Sequence, residues 1–264
     1  MQAFELKSGS SPVIIALPHT GTDVPDDIMV RLNDNGLKLA DTDWHIHHLY
    51  GGLLEDATMI RATFHRYCID ANRDPEGVSL YPGQNTTTLI PTTDFDGLAI
   101  WKEGEEPTSD DIEDRLNRFH KPYHDALAAE IERVKKIHGI AILYDCHSIR
   151  SHIPFLFEGI LPDFNIGTDM GKTCAPEIEA IAVDVTSKAQ GYTSILNGRF
   201  KGGWTTRHYG KPENRVHAIQ MELAQKTHLV SENLPFAYDE AKAERLRVHL
   251  KTILQRIEAA AAKL

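Results

Sequence analysis
Histidine is the outlier of this sequence, at 14 of 264 residues. That abundance asks for metal ligands, because neutral imidazole is the commonest side-chain ligand for a metal ion. Two histidines stand out by position. His19 follows the aliphatic run Val13-Ile14-Ile15-Ala16-Leu17 and Pro18, and His147 follows residues 140–146, of which 140–144 are apolar. Each therefore reads as lying just past the C-terminal edge of a buried strand, facing a crevice. A catalytic divalent site needs three protein ligands and one position left for water. Asp43, in Asp41-Thr42-Asp43-Trp44, completes a set of two imidazoles and one carboxylate, and Asp41 competes for the same role. Zinc is the first candidate ion, although these donors also suit other first-row divalent metals. The plainer reading is a strand-end histidine bonded to backbone and an aspartate capping a helix.

Asp145 and His147 are two residues apart, so on extended chain they point to one side and Cys146 points to the other. This places Asp145 to accept the second ring N–H of a metal-bound imidazole. Cys146 goes to the core; a Cys146/His147 nucleophile pair is disfavoured because adjacent strand side chains diverge. Within residues 216–223, Gln220 and Glu222 share a face of an otherwise apolar strand, where a carboxylate is costly without a task. Glu222 is the candidate general base; its alternative is a strand-end salt bridge with Arg199 or Arg207. Asn72 and Arg73 leave a predicted strand near the same mouth, and the Arg73 fork suits a substrate carboxylate, unless it merely pairs with Asp74. On a helix, only His45 and His48 of the His45/His47/His48 group share a face. Pro122 is expected to kink or divide the helix that ends at Gly139, and His120 and His124 on either side of it read as ordinary surface histidines.

These side chains need an alternating scaffold to hold them. Val13–Leu17, 57–63, 67–70, 140–144, 192–196 and 216–223 read as extended. Helices are expected over 35–54, from a capping box at Asp110 and Glu113 to a stop at Gly139, over 176–190, and over 239–263. Such alternation predicts an α/β fold with a sheet covered on both faces, a single catalytic domain over 1–264 with a long loop excursion at about 74–108. Apolar residues at 41% and charged residues at 25% are the ordinary globular mix. A net charge of −10 argues against nucleic acid as a partner. The longest aliphatic runs fall far short of the roughly 20 residues of a membrane helix. The opening MQAFELKSGS has no basic segment followed by an apolar one, and Cys68, Cys146 and Cys174 form no close pair, so the cytoplasm is the expected compartment. Oligomeric state leaves no mark in the sequence.

Taken in order, Pro18-His19-Thr20-Gly21, Asp41-Thr42-Asp43-Trp44, Asn72-Arg73-Asp74-Pro75-Glu76-Gly77, Ser79-Leu80-Tyr81-Pro82-Gly83-Gln84, Asp145-Cys146-His147-Ser148, residues 161–168, Gly202-Gly203-Trp204-Thr205-Thr206-Arg207-His208-Tyr209-Gly210 and Gln220-Met221-Glu222-Leu223 closely resemble the N-formylglutamate amidohydrolase family. The resemblance runs nearly end to end. It implies a metal-dependent deformylase of histidine catabolism that hydrolyses N-formyl-L-glutamate to formate and L-glutamate. It also implies a three-layer α/β/α fold with a mixed sheet, similar to zinc carboxypeptidases and aspartoacylases. Carried across, His19 and His147 correspond to the imidazole ligands and Glu222 to a carboxypeptidase-type base. The wider peptidase class has a Glu three residues after the first histidine; here that residue is Thr22, and Asp43 is the inferred third ligand. His47 stands where the family is expected to carry an acidic residue. The implied substrate is a small dianion, so an acidic protein must gather local positive charge in its pocket. Arg73 with one of Arg66, Arg150 or Arg207 would supply it, Arg207 being the chosen second clamp. A deacylase for another N-acyl acidic amino acid, or a metal-dependent anion-binding protein without turnover, are the alternatives.

Overall fold
A computed structural model of the chain describes residues 1–80, 83 and 85–264. Tyr81, Pro82 and Gln84 of the 79–84 block therefore lie outside the described residues. The strands are β1 (Phe4–Lys7), β2 (Val13–Leu17), β3 (Thr58–Ala62), β4 (Ala141–Ile149), β5 (Phe164–Gly167), β6 (Ser194–Leu196) and β7 (Val216–Ala224). The helices are α1 (Asp26–Met29), α2 (Ile46–Tyr50), α3 (Ser109–Arg115), α4 (Lys121–His138), α5 (Pro176–Ser187), α6 (Trp204–Tyr209) and α7 (Glu240–Ala261).

The strands form one mixed sheet in the order β1-β3-β2-β4-β7-β5-β6. Its centre, β3-β2-β4-β7, is parallel, whereas β1 runs against β3 and β5 against β7. Central parallel strands are buried on both faces, which is why β2, β4 and β7 are buried at every residue. Alternation along β2 divides the core. Val13, Ile15 and Leu17 pack with residues of α2, α5 and α7, while Ile14 and Ala16 pack with residues of α4 on the other face. Each such aliphatic side chain contributes about 1.5–3 kcal/mol by leaving water.

Parallel pairing fixes where chemistry can gather. Ala16 is opposite Asp145 in β2 and β4, and His147 is opposite Glu222 in β4 and β7. The C-terminal ends of all three strands thus share one edge of the sheet.

Several elements differ from the sequence reading. The expected helix over 35–54 is reduced to α2 and one short 3-10 turn at Gly36–Lys38, because Leu39 and His45 adopt left-handed backbone with φ of 50° and 60°. Residues 67–70 are the end of a turn followed by irregular chain rather than a strand. The capping box belongs to Thr108 and Asp111, two residues before the one expected. Pro122 does not divide the helix. It sits in the first turn of α4, just after a π-helical segment at Leu116–His120 that connects α3 to α4, where its missing N–H costs little. Asp145, Cys146 and His147 lie within β4 rather than past its end. The stop at Gly139 has φ of 73°, the left-handed backbone that glycine takes most readily. No described helix is long and apolar enough to cross a membrane.

Candidate metal and substrate site
His19, Asp43 and His147 meet at the C-terminal edge of the sheet, all three buried, with candidate ligand atoms within 4.8 Å of one another. Asp43 is delivered by the irregular chain before α2: its N–H donates to the His19 carbonyl at 3.0 Å, and its Oδ2 accepts from the Ser148 N–H at 3.1 Å. The same Oδ2 is 3.3 Å from His147 Nδ1 and 3.9 Å from His19 Nδ1. Both rings therefore turn Nδ1 inward.

Their outer nitrogens are occupied. His19 Nε2 lies 2.6 Å from Asp70 Oδ1, and His147 Nε2 lies 3.0 Å from Asp145 Oδ1. A carboxylate on Nε2 fixes the tautomer that leaves the Nδ1 lone pair available, the usual support of a ligating imidazole. Asp145 is itself held by the Thr206 hydroxyl at 2.8 Å, and Asp70 by the Arg66 guanidinium at 2.5 Å and the Asn72 N–H at 2.8 Å. Asp70 is the residue that spacing did not mark. Its only signal is that it precedes Asn72 by an even step.

The two rings sit in different electrostatic surroundings. Burial alone would lower His147, yet the carboxylates of Asp145, Asp43 and Glu222 outweigh it and raise its pKa well above the imidazole value. For His19, burial and the Arg66 charge prevail and lower the pKa. Two Nδ1 atoms and one carboxylate, surrounded by further acids, fit a divalent cation by donor type and number. Asp41 does not join them: its Oδ2 accepts from the Tyr67 hydroxyl at 2.9 Å and the Phe95 N–H at 3.0 Å.

Glu222 faces the same centre from β7. Gln220 Nε2 donates to its Oε2 at 3.2 Å, while Gln220 Oε1 accepts from the Gly203 N–H at 2.6 Å. Burial pushes the Glu222 carboxyl up to about 8, with His147 opposing and Asp43 adding to the rise. A carboxyl that releases its proton near neutrality is suited to moving one.

In front of these residues opens a cleft of about 610 Å³, part of it solvent, to which Arg66, Asn72, Arg73 and Arg199 contribute. Asn72 Nδ2 is 3.1 Å from His147 Nε2, and its Oδ1 accepts from the Thr205 N–H at 2.8 Å. Arg73 donates to the Thr87 carbonyl and hydroxyl, both at 2.9 Å, so it also braces the loop that walls the cleft.

Arg207 is not among the described cleft residues. It donates to the Gly202 carbonyl at 2.8 Å and faces Asp169 at 3.4 Å. Arg150 is likewise turned to Asp96, at 2.8 Å. Arg199 is among the described cleft residues, its guanidinium donating to the carbonyls of Leu156 and Asn85.

Four other histidines weighed in the sequence lie elsewhere. His45 and His47 are turned away from the centre, to the Phe236 carbonyl and the Thr20 hydroxyl. His120 and His124 are buried rather than on the surface. Cys146 packs in the core on the face of β4 opposite His147, as alternation requires.

Residues 11–229 match the family of N-formylglutamate amidohydrolases. The N-formylglutamate deformylase of Pseudomonas aeruginosa is 43% identical over 255 residues, covering 96% of this chain and 95% of that protein. That of Pseudomonas putida is 43% identical over 248 residues, covering 94% and 92%. Among solved structures, the N-formylglutamate amidohydrolase of Ralstonia eutropha JMP134 superposes with a TM-score of 0.79 over 97% of both chains at 24% identity. A protein of Agrobacterium tumefaciens superposes with a TM-score of 0.75 at 14% identity, over 98% of this chain and 96% of its own. At those identities the two structures speak to the fold.

Proposed function
Because the chain belongs to the N-formylglutamate amidohydrolase family, we propose that it hydrolyses N-formyl-L-glutamate to formate and L-glutamate, using one divalent ion, zinc in the first instance, as a step of histidine degradation. The observation that carries this reading is the convergence of His19 Nδ1, His147 Nδ1 and the Asp43 carboxylate beside Glu222 on one cleft. His19, Asp43 and His147 would hold the ion. When bound, such an ion polarises a carbonyl and lowers the pKa of water from 15.7 to about 7, worth roughly 12 kcal/mol of easier deprotonation.

The chain's own residues do the rest. Glu222, buried and ready to exchange a proton near neutrality, takes the proton from the attacking water and returns it to the amide nitrogen as the C–N bond breaks. Water adds to the formyl carbon, the amine leaves as glutamate, and the atoms balance as formate plus amino acid. Asn72, Arg73 and Arg199 meet the substrate from the cleft wall, and Arg66, which lines the same cleft 3.4 Å from His19 Nδ1 and pairs with Asp70, adds its charge there. Together they gather the positive potential that a dianion needs on a protein of net charge −10. The sheet, with helices on both faces, is on this reading the three-layer arrangement similar to zinc carboxypeptidases and aspartoacylases.

The test is elemental analysis of the purified protein coupled to formate release, before and after chelation, on N-formyl-L-glutamate, N-acetyl-L-glutamate and N-formyl-L-aspartate. The reading expects bound divalent metal, release from the first substrate above the others, loss on chelation and recovery with zinc. Metal-replete protein that releases no formate would overturn it.

A further inference from the structure
Residues 70–73 supply three parts of the site: Asp70 holds His19, Asn72 touches His147, and Arg73 lines the cleft. Yet this segment is a turn with no strand beside it, so its buried carbonyls must find partners elsewhere. The Asp70 carbonyl accepts from the Arg73 N–H within the turn. The carbonyls of Ala71 and Arg73, which bracket Asn72, accept from two imidazoles instead. His124 Nε2 donates to the Ala71 carbonyl at 2.7 Å, and His120 Nε2 donates to the Arg73 carbonyl at 3.1 Å.

We propose that His120 and His124 are positioning residues that set the Asn72-Arg73 segment against the reaction centre. His120 closes the π-helical segment and His124 lies one turn on in α4, so both rings face the segment, their centroids 4.4 Å apart. A π turn inside a longer helix rotates the faces of the helix beyond it, a feature common at functional sites.

The rings are locked from outside. Trp204 packs edge-on to His124 at 4.9 Å and lies 5.6 Å from His120. The Tyr209 hydroxyl is 3.0 Å from His124 Nδ1. Burial holds His124 down at about 3 and lowers His120 as well. Both rings are therefore neutral near pH 7, and a neutral ring that donates through Nε2 accepts at Nδ1; the Tyr209 hydroxyl is the donor there, with the His124 carbonyl at 3.3 Å as its second acceptor. From the opposite side, the Thr205 N–H donates to Asn72 Oδ1. The peptide is held by α4 and the side chain by α6.

Glutamine can replace an Nε2 donor, whereas leucine cannot, so His120→Gln, His124→Gln, His120→Leu and His124→Leu separate positioning from packing. The substrate used, N-formyl-L-glutamate, rests on the deformylase reading. Each leucine variant is expected to raise KM by about 5- to 10-fold, the effect of one misplaced hydrogen-bonding contact, with metal content unchanged and a smaller change in kcat. Each glutamine variant should return KM to within about twofold of the parent, on the same scale of hydrogen-bond effects. Hydrogen exchange of the peptide covering 70–74 gives a second readout, faster in the leucine variants and restored in the glutamine ones. Should a leucine variant fail to fold, Tyr209→Phe, which removes the Nδ1 partner, is expected to speed exchange of the same peptide. Leucine variants with parental KM and exchange, or glutamine variants as impaired as leucine ones, would overturn the proposal. If the parent protein releases no formate from this substrate, the deformylase reading falls and the exchange measurement alone decides positioning.

Discussion

Replacing Glu222 with glutamine tests the proton-transfer role against a side chain of the same shape. Glu222 is only 6% exposed and accepts a hydrogen bond from Gln220. A glutamine keeps the volume, and its amide oxygen accepts the same bond, so the fold should persist. It cannot take a proton. Losing a positioned general base costs about 10²- to 10⁴-fold in rate, so kcat for formate release should fall by that range. Metal content should stay at the parental level, since the proposed ligands are His19, Asp43 and His147. Stability supplies an independent measure in metal-free protein. The carboxyl releases its proton near 4.5 when unfolded and near 8 when folded. The stability contributed by the protonated form is complete below 4.5, declines as pH rises through 8, and levels off above it. The decline amounts to a few kcal/mol, because one pH unit of displacement corresponds to about 1.4 kcal/mol. Chelated Glu222→Gln should lose less stability than chelated parent protein between roughly pH 5 and 8, as measured by Tm against pH. A variant that keeps more than about a tenth of parental kcat would show that another group moves the proton. An unchanged pH–stability curve would refute the buried, proton-holding state of this carboxyl.

Arg73→Ala should lower kcat/KM by about 10- to 150-fold, equivalent to roughly 1.5–3 kcal/mol, because it removes a cleft guanidinium and the brace on Thr87 together; steady-state formate release measures it, and parental kinetics would remove Arg73 from substrate contact. Arg199→Ala should raise KM more than Arg207→Ala, since Arg199 lines the cleft and Arg207 is turned to Gly202 and Asp169; the reverse order would restore Arg207 as the clamp. Gly203→Ala would place a Cβ 2.3 Å from Asn72 Nδ2. The Asn72 amide is held by the Thr205 N–H on its Oδ1 and packs against His147, so kcat/KM should drop by about tenfold or more, with a smaller proportional loss of Tm, as expected when a contact shift misplaces a reacting group.

The metal candidates were legible because they follow a rule that sequence alone can express. A histidine after a short aliphatic run falls at a strand edge, and parallel strands put such edges together. The choice between Asp43 and Asp41 is a different matter. Both lie in one short block, and what separates them is the left-handed backbone at Leu39 and His45, which ends helix on either side and lets Asp43 reach His19. The apolar spacing over 35–54 reports burial at Ile46, Leu49 and Leu53 but not at Leu37, which is exposed, and says nothing of that break. β1 and β5 escaped for opposite reasons: β1 is an edge strand with little burial to pattern it, and β5 is buried throughout but only four residues long.

The residues that were missed share a cause. Asp70 contacts His19 across 51 residues, and His120 and His124 contact the Asn72 segment across 47 and 53. In each case one partner belongs to irregular chain, and irregular chain has no period from which its needs can be read. Arg199 and Arg207 make the same point from the other direction. They belong to one loop-to-helix passage, and of the two only Arg199 is among the described cleft residues, a difference that residue spacing does not carry. Histidines at i, i+4 near a proline look solvated when the proline is taken as a break. Placed in the first turn of α4, Pro122 leaves the helix whole, and the two rings turn inward to satisfy the carbonyls on either side of Asn72. The supporting shell thus follows from the backbone it has to satisfy, which is why it emerges only once that backbone is known.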